Sequence, residues 1–183
     1  EIRTASLVLA GLRRDPYDSF DAMFSLEERI GAPSTFFLMG GGDAPLDGDY
    51  TLDDQPMREL LARIEAAGDE IGLHGSYESW RSPEQLLSEM QALERAVGHS
   101  VIGARQHYLR FALPETWYAQ GQCGLRYDTT WYAEQTSSQL LCGTLLPFRP
   151  LDCRTCEPVD LWEFPFVVED GIVFGVYGEG SGR

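Results

Sequence analysis

Two histidines stand at the ends of apolar segments of this sequence, where proteins that alternate strands and helices place their chemistry. His74 ends the segment EIGLH, and His107 follows the segment VIGARQ. At the carboxyl end of a parallel strand the chain leaves the sheet and can face a ligand. Two imidazoles at one such edge can bind a divalent metal ion. The pattern therefore predicts that His74 and His107 are metal ligands.

Charged and aromatic side chains near the same strand ends complete the predicted site. Arg105 precedes His107 by two residues, so it is expected on the same strand face, where a guanidinium can hold a carboxylate. Asp128 ends a further apolar segment and either orients an imidazole or caps a turn. Arg105 and Asp128 are the predicted catalytic residues. The predicted substrate-binding residues are Tyr77, Trp80, Tyr108 and Arg110.

Other interpretations of nearby residues stay open in the sequence alone. Arg110 fits a surface ion pair as well as a ligand site. Glu163 lies between large apolar residues and needs a partner, for which an arginine of the site is one option. Glu78 and Glu163 would make a glycoside hydrolase only if they flanked one cleft, about 5 to 9.5 Å apart. The CRTC sequence suits a zinc half-site or a redox turn, against plain loop thiols or a disulfide.

Helical and extended patterns alternate along the chain and would position these residues. This succession predicts an α/β fold with a parallel sheet, either an open doubly wound sheet or a (β/α) barrel. A barrel is preferred because its mouth would bring His74, His107 and Asp128 together. Helices are predicted over 15–30, 55–67, 83–97 and 113–124, and strands over 34–39, 70–74, 101–111 and 125–131, with strand, turn, strand over 161–178.

Composition limits the partners and the organisation of the chain. The 183 residues are 43% hydrophobic, which predicts a single domain over 1–183. A formal net charge of −15 makes nucleic acid and anionic membrane surfaces poor partners. No apolar run reaches the roughly 18 residues of a membrane helix, so no membrane insertion is expected. Four cysteines favour the cytoplasm. A chain that begins at Glu1 suggests a processed protein or a fragment.

Four stretches resemble the polysaccharide deacetylase family, also called the chitooligosaccharide deacetylase homology domain. They are GDEIGLHGSYES, VIGARQHYLRF, GLRYDTTW and LWEFPFVV, in this order, and STFFLMGG looks like the second strand of the family. The resemblance runs from about Asp15 to Val168. It implies a distorted (β/α) barrel and a divalent metal, usually zinc, that activates water to remove an N-acetyl or related acyl group from a carbohydrate substrate.

The resemblance is to a divergent branch with HxSYxS and RQHYLR motifs, and the chain looks incomplete at both ends. His74 matches the first histidine of the H-S/T-x-x-H metal motif, and Arg105 matches the arginine of the next motif. Glu78 stands where the second histidine is usual, and His107 is inferred to replace it. The aspartate pair of the first strand and the carboxyl-terminal Leu-His motif are absent from the sequence. The resemblance implies a metal-dependent hydrolase, or alternatively a non-catalytic carbohydrate-binding or assembly module.

Overall fold

The computed structural model describes residues 6–8, 10–13, 15, 18–131 and 144–166, in which helices and strands alternate. Short 3₁₀ turns follow two of the strands, at Ser79–Arg81 and at His107–Leu109. The helices are α1 Phe20–Ile30, α2 Gln55–Ala67, α3 Pro83–Val97 and α4 Glu115–Gln122. The strands are β1 Thr35–Leu38, β2 Glu70–Gly75, β3 Gly103–Gln106, β4 Tyr127–Asp128 and β5 Trp162–Glu163.

The five described strands form one parallel sheet whose spatial order follows the chain, β1-β2-β3-β4-β5. A doubly wound sheet reverses its strand order at a switch point, whereas the wall of a (β/α) barrel does not. The predicted α/β class with parallel strands is therefore confirmed, and the strand order is that of a barrel wall. The single domain over 1–183 stays a prediction.

One face of the sheet packs against the helices and forms the core. Leu73 of β2 and Ala104 of β3 are register neighbours, and both are fully buried. The helices contribute apolar stripes at helical spacing, which the sequence pattern predicts. Ser82 caps α3, because its hydroxyl accepts a hydrogen bond from Gln85 N at 3.2 Å. The buried helical residues of this core include Leu61, Ile64, Leu86, Met90, Leu93 and Trp117.

Aromatic rings cover the opposite, inner face of the sheet. A Cβ atom on Gly103 would lie 2.1 Å from the Tyr127 ring, and one on Gly72 would lie 2.6 Å from the Phe37 ring. Both glycines are therefore needed for the rings to lie flat on the strands. His74 of β2 and Arg105 of β3 are register partners on this same inner face, because successive side chains alternate across a sheet.

Two predicted strands are shorter than the sequence pattern indicates. The third was predicted over 101–111 and ends at Gln106, because Tyr108 and Leu109 have left-handed backbone angles, with φ of 53° and 54°. The fourth was predicted over 125–131 and pairs only at Tyr127–Asp128. The second strand predicted for the tail lies outside the described residues. None of the helices in the described ranges combines the length and the hydrophobicity that spanning a lipid bilayer requires.

Candidate functional site at the carboxyl ends of the strands

The two predicted metal ligands meet at the carboxyl ends of β2 and β3. His74 Nε2 lies 2.9 Å from His107 Nδ1, and the two ring planes are 76° apart. His74 is the last residue but one of β2, and His107 is the first residue after β3. Adjacent parallel strands end at the same edge of a sheet, so residues distant in sequence come into direct contact here. We call His74 and His107 the histidine pair.

The partners of the histidine pair determine where its protons lie. His107 Nε2 is 2.7 Å from the carbonyl oxygen of Leu46, which only accepts, so Nε2 carries a proton. In a neutral pair, His107 Nδ1 then accepts a hydrogen bond from His74 Nε2. Burial lowers the pKa of His74 to about 4, helped by the charges of His107 and Arg105, while the Arg105 backbone and Asp47 act in the opposite sense. His74 is therefore a neutral imidazole near pH 7.

The histidine pair supplies only part of a metal site. Catalytic zinc is usually held by three protein ligands, and structural zinc by four. Within the described ranges, no group of three or more His, Cys, Asp or Glu side chains could hold a metal ion. The residues described here therefore do not fit a complete zinc site. Cys153 and Cys156 are free and exposed.

A glycine-rich loop between β1 and α2 contacts the histidine pair, and sequence reasoning identified the loop but not this contact. Leu46 supplies the carbonyl that holds His107. The next residue, Asp47, accepts hydrogen bonds from Tyr77 N at 2.7 Å and from Ala44 N at 2.9 Å, which fixes the loop to the end of β2. Asp47 is thus a positioning residue. Its only sequence signal is an aspartate in a loop rich in turn-forming residues.

Arg105 lies beside the histidine pair on the inner face of the sheet. Its Nε donates to Thr129 Oγ1 at 2.8 Å and to the Thr129 carbonyl at 3.2 Å. The guanidinium carbon also lies 5.2 Å from the centre of the Phe37 ring and 4.9 Å from that of Phe166. These contacts hold the guanidinium over the inner face, where its charge disfavours protonation of His74.

The four predicted substrate-binding residues form one cluster against the histidine pair. The Tyr108 ring lies 4.6 Å from the His107 ring and 5.8 Å from the Tyr77 ring, nearly edge-on to both. Arg110 places its guanidinium carbon 3.8 Å from the centre of the Tyr77 ring and 5.3 Å from that of Trp80. We call Tyr77, Trp80, Tyr108 and Arg110 the aromatic rim.

Tyr108 is the most unusual member of the aromatic rim. It is 63% exposed, although it is a large ring beside a partly buried histidine. Tyr108 and Leu109 both have left-handed backbone angles, which cost on the order of 1 to 2 kcal/mol for each residue that is not glycine. Such strain collects at functional sites, where it fixes the direction of a side chain. The backbone conformation at Tyr108 and Leu109 therefore lowers stability while it holds the Tyr108 ring in an exposed position.

Glu78 and Arg110 belong to the outer edge of the rim. Glu78 contacts Arg110 at 3.7 Å and Arg81 at 3.4 Å, so the ion pair expected as one alternative for Arg110 is present. The ion pair with Glu78 offsets the charge of Arg110, whose guanidinium still lies on the Tyr77 ring. Glu163 is fully buried elsewhere, so the paired carboxylates of a glycoside hydrolase are not formed by Glu78 and Glu163.

Asp128 does not join the histidine pair, which corrects the expectation that the barrel mouth would bring the three residues together. Asp128 aligns with Ala104, one residue before the level of Arg105, so its side chain points to the helical face of the sheet. It is fully buried and accepts hydrogen bonds from Gln120 Nε2 and Thr130 Oγ1, at 2.5 and 2.8 Å. Thr130 N also donates to Asp128 Oδ2 at 2.8 Å, so Asp128 caps a turn, which was the alternative role expected from the sequence.

Glu163 is the neighbour of Asp128 in register, and it also lies on the helical face. Trp117 Nε1 donates to it at 2.9 Å, and Trp131 N donates at 3.1 Å. The partner of this buried carboxyl is therefore not an arginine of the site. Burial, followed by the charge of Asp128, raises the pKa of Glu163 to about 10, so Glu163 is protonated and hydrogen-bonds to Asp128. We call Asp128 and Glu163 the carboxyl pair.

The serines of the GSYES stretch are structural. Ser76 and Ser79 are buried, and Ser76 donates from both its backbone N and its hydroxyl to the carboxylate of Glu89. Gln85 donates to the same carboxylate at 3.1 Å. This network fixes the chain that carries Tyr77 and Trp80. The available sequence signal was a glutamate within the apolar stripe of α3, at the position of Glu89.

Comparisons with known proteins match this architecture at the level of structure. No protein-family model and no curated protein matches the chain. A Mycobacterium smegmatis protein described as a polysaccharide deacetylase is similar with a TM-score of 0.58 and 20% identity, over 87% of this chain and 49% of that one. IcaB from Ammonifex degensii gives 0.54 and 14%, over 89% and 67%. A mutant of a CE4 family pseudoenzyme gives 0.51 and 11%, over 92% and 60%.

These likenesses confirm, for the fold, the resemblance that the sequence motifs indicate. The chain has the α/β architecture of polysaccharide deacetylases, with a parallel sheet and outer helices. It spans about half the length of the Mycobacterium smegmatis protein, for which the coverage is 49%. At 20% identity and below, the likeness concerns the fold, so activity must be argued from the residues of this chain.

Proposed function

We propose that this chain is a carbohydrate-binding domain with the polysaccharide deacetylase fold, and that an acetylated amino sugar binds on the aromatic rim beside the histidine pair. The observation that carries the proposal is the exposed, conformationally strained Tyr108 ring between His107 and solvent. A sugar ring has apolar faces that pack on aromatic rings and hydroxyl groups at its edge that need hydrogen-bond partners. The rim offers both kinds of contact.

The surroundings of the rim define the class of sugar. Arg110 is held on Tyr77 and paired with Glu78, so its remaining N–H groups can donate to sugar hydroxyls without presenting an unbalanced charge. The chain carries a formal net charge of −15, which repels polyanionic sugars at long range. Neutral N-acetylated oligomers, or amino sugars that carry a positive charge, suit this field.

A second candidate function is metal-dependent hydrolysis of the acyl group, as predicted from the sequence. One observation favours it: His107 Nε2 is occupied by the Leu46 carbonyl, and His74 also interacts with the Arg105 backbone, as imidazoles in metal sites do through their second nitrogen. If the His74 proton lies instead on the nitrogen that faces the Arg105 backbone, His74 Nε2 and His107 Nδ1 present two lone pairs to each other across 2.9 Å, an arrangement that a cation stabilises. Zinc is the metal proposed, with further ligands required from outside the described residues.

Binding is tested by calorimetric titration of the chain with N-acetylglucosamine oligomers. Tyr108→Ala should weaken binding about tenfold, since one stacked ring contributes about 1.4 kcal/mol. The matched control is Trp162→Ala, because Trp162 is also exposed but lies on β5, outside the rim. Equal affinities for Tyr108→Ala and the unaltered chain would remove the proposal.

The hydrolase candidate is tested by elemental analysis of purified protein and by acetate release. His74→Ala and His107→Ala should each lose bound zinc. His99→Ala is the control, because His99 contacts Glu65 on the surface at 2.7 Å. Zinc content that is the same in all three variants would exclude a metal at the histidine pair. Acetate release by the chain alone would instead favour hydrolysis over binding without catalysis.

A further inference from the structure

We infer that Cys153 and Cys156 form a dithiol that closes to a disulfide within one surface turn, by exchange with low-molecular-weight disulfides. The aromatic rim and the histidine pair do not use these residues. Both thiols are free and exposed, and they are three residues apart in the sequence CRTC. The inference is independent of the proposed function, because it concerns a separate segment between residues 144 and 161.

Backbone hydrogen bonds close the segment into a hairpin whose tip carries both cysteines. Leu151 and Pro158 form an antiparallel bridge. Asp152 N donates to the Glu157 carbonyl at 3.0 Å, and Cys156 N donates to the Asp152 carbonyl at 2.7 Å. The Cα atoms three residues apart in such a turn lie within about 7 Å, and disulfides need about 4.4 to 6.8 Å. The tip therefore suits a disulfide without unfolding of the hairpin.

Contacts that do not involve sulfur hold the tip in place. The Asp152 carboxylate accepts hydrogen bonds from Arg154 N at 2.8 Å and from the Tyr118 hydroxyl of α4 at 2.7 Å. Asp152 is buried although it lies in a loop. The Arg154 side chain reaches Glu115 of α4 at 3.2 Å. None of these contacts involves a thiol, so closing the disulfide does not require any of them to break.

Cys123 provides an internal contrast. It is buried against the core, and burial raises the pKa of its thiol to about 11, which makes it a poor nucleophile. Reactivity toward a dissolved disulfide needs exposure to solvent, which Cys153 and Cys156 have. The described cysteines thus divide into one inert thiol and two accessible ones.

The exchange proceeds in two steps with glutathione disulfide as the oxidant. One cysteine thiolate attacks a sulfur of the disulfide, which forms a mixed disulfide and releases one glutathione thiolate. The second cysteine, as a thiolate, attacks the protein sulfur of that mixed disulfide. The intraloop bond forms, and the second glutathione leaves as a thiolate. Two electrons pass from the dithiol to glutathione disulfide, and each protein thiol loses its proton to water.

The test equilibrates the full chain with glutathione buffers and maps the products by mass spectrometry. Cys142, which lies outside the described residues, is replaced by Ser to simplify the map. Trypsin cuts after Arg154, between the two cysteines, so the intraloop disulfide keeps two peptides joined. At roughly 1 mM glutathione, we expect mixed disulfide below about a tenth of the oxidised protein, because the tip holds the second thiol at a higher effective concentration.

Single variants provide the matched comparison. Cys153→Ser and Cys156→Ser each keep one exposed thiol. Each should accumulate the glutathione adduct, because no second thiol is present to displace glutathione from the mixed disulfide. Equal adduct levels in the single variants and in the protein that keeps both cysteines would overturn the inference. Disulfides that link two chains would also overturn it. Equimolar zinc bound through both cysteines, with no intraloop disulfide in oxidising buffer, would also overturn it and assign the pair to metal binding.

Discussion

Replacing Glu163 by Gln should make the stability of this protein less dependent on pH. The carboxyl pair lies in the sheet wall, fully buried, with Trp117 and Gln120 of α4 as hydrogen-bond partners. Burial, followed by the charge of Asp128, raises the pKa of Glu163 to about 10 from an ordinary value of 4.5. Glutamine has nearly the same shape and carries no titrating proton.

The size of the effect follows from proton linkage. Above pH 4.5 the unfolded chain releases the Glu163 proton, while the folded chain keeps it until about pH 10. The contribution of the retained Glu163 proton to the free energy of unfolding is therefore complete below pH 4.5. It is lost as the pH rises toward 10, by up to about 1.4 kcal/mol for each pH unit. Between pH 5 and pH 8 the loss is up to about 4 kcal/mol, a large part of a typical folding free energy.

The assay is urea unfolding of both proteins at pH 5, 6, 7 and 8. The free energy of unfolding of the unaltered chain should fall with pH relative to that of Glu163→Gln. Glu59→Gln is the control, since Glu59 is exposed on α2 and its replacement should leave the pH profile unchanged. Parallel profiles for the unaltered chain and Glu163→Gln would refute the assignment of a retained proton to the pair.

Three further predictions concern the loop, the core and the histidine pair. Asp47→Ala should lower the unfolding free energy by about 1 to 3 kcal/mol and shift the His107 imidazole resonances, because Tyr77 N loses its acceptor. Asp47→Asn should have a smaller effect on both quantities. Leu93→Ala should cost about 2 to 5 kcal/mol by chemical denaturation, against a smaller effect of Leu87→Ala on the exposed side of the same helix. NMR titration should show His74 neutral until the pH falls to about 4, so stability should decline as the pH drops below 6.5 toward 4.

Sequence reasoning succeeded where a rule of topology was enough. Parallel strands that alternate with helices must end at one edge, so the meeting of His74 and His107 could be expected without a local motif. The same rule placed Tyr77 and Tyr108 next to each other, because each follows one of those strands by a few residues. The prediction of their roles goes further than the topology and still awaits experiment.

The missed features depend on register and on loop structure. Asp128 faces the helices because β4 aligns it with Ala104, and a shift of one residue would have turned it toward the inner face. A single sequence does not give that alignment. Asp47 acts through a turn-rich loop without periodicity, so no sequence pattern connects it to Tyr77 or to the carbonyl that holds His107. Glu163 also faces the helices, because β5 aligns it with Asp128, and its partner there is Trp117 and not an arginine.

The most direct test of sugar binding on the rim uses the three histidines of the chain as reporters. Imidazole NMR resonances are recorded while an N-acetylglucosamine oligomer is added. Binding on the aromatic rim predicts that the His107 resonances move most, that those of His74 move with them, and that His99 stays unchanged. A saturating titration that leaves His107 unmoved, or that shifts His99 as much, would contradict the placement of a carbohydrate at this site.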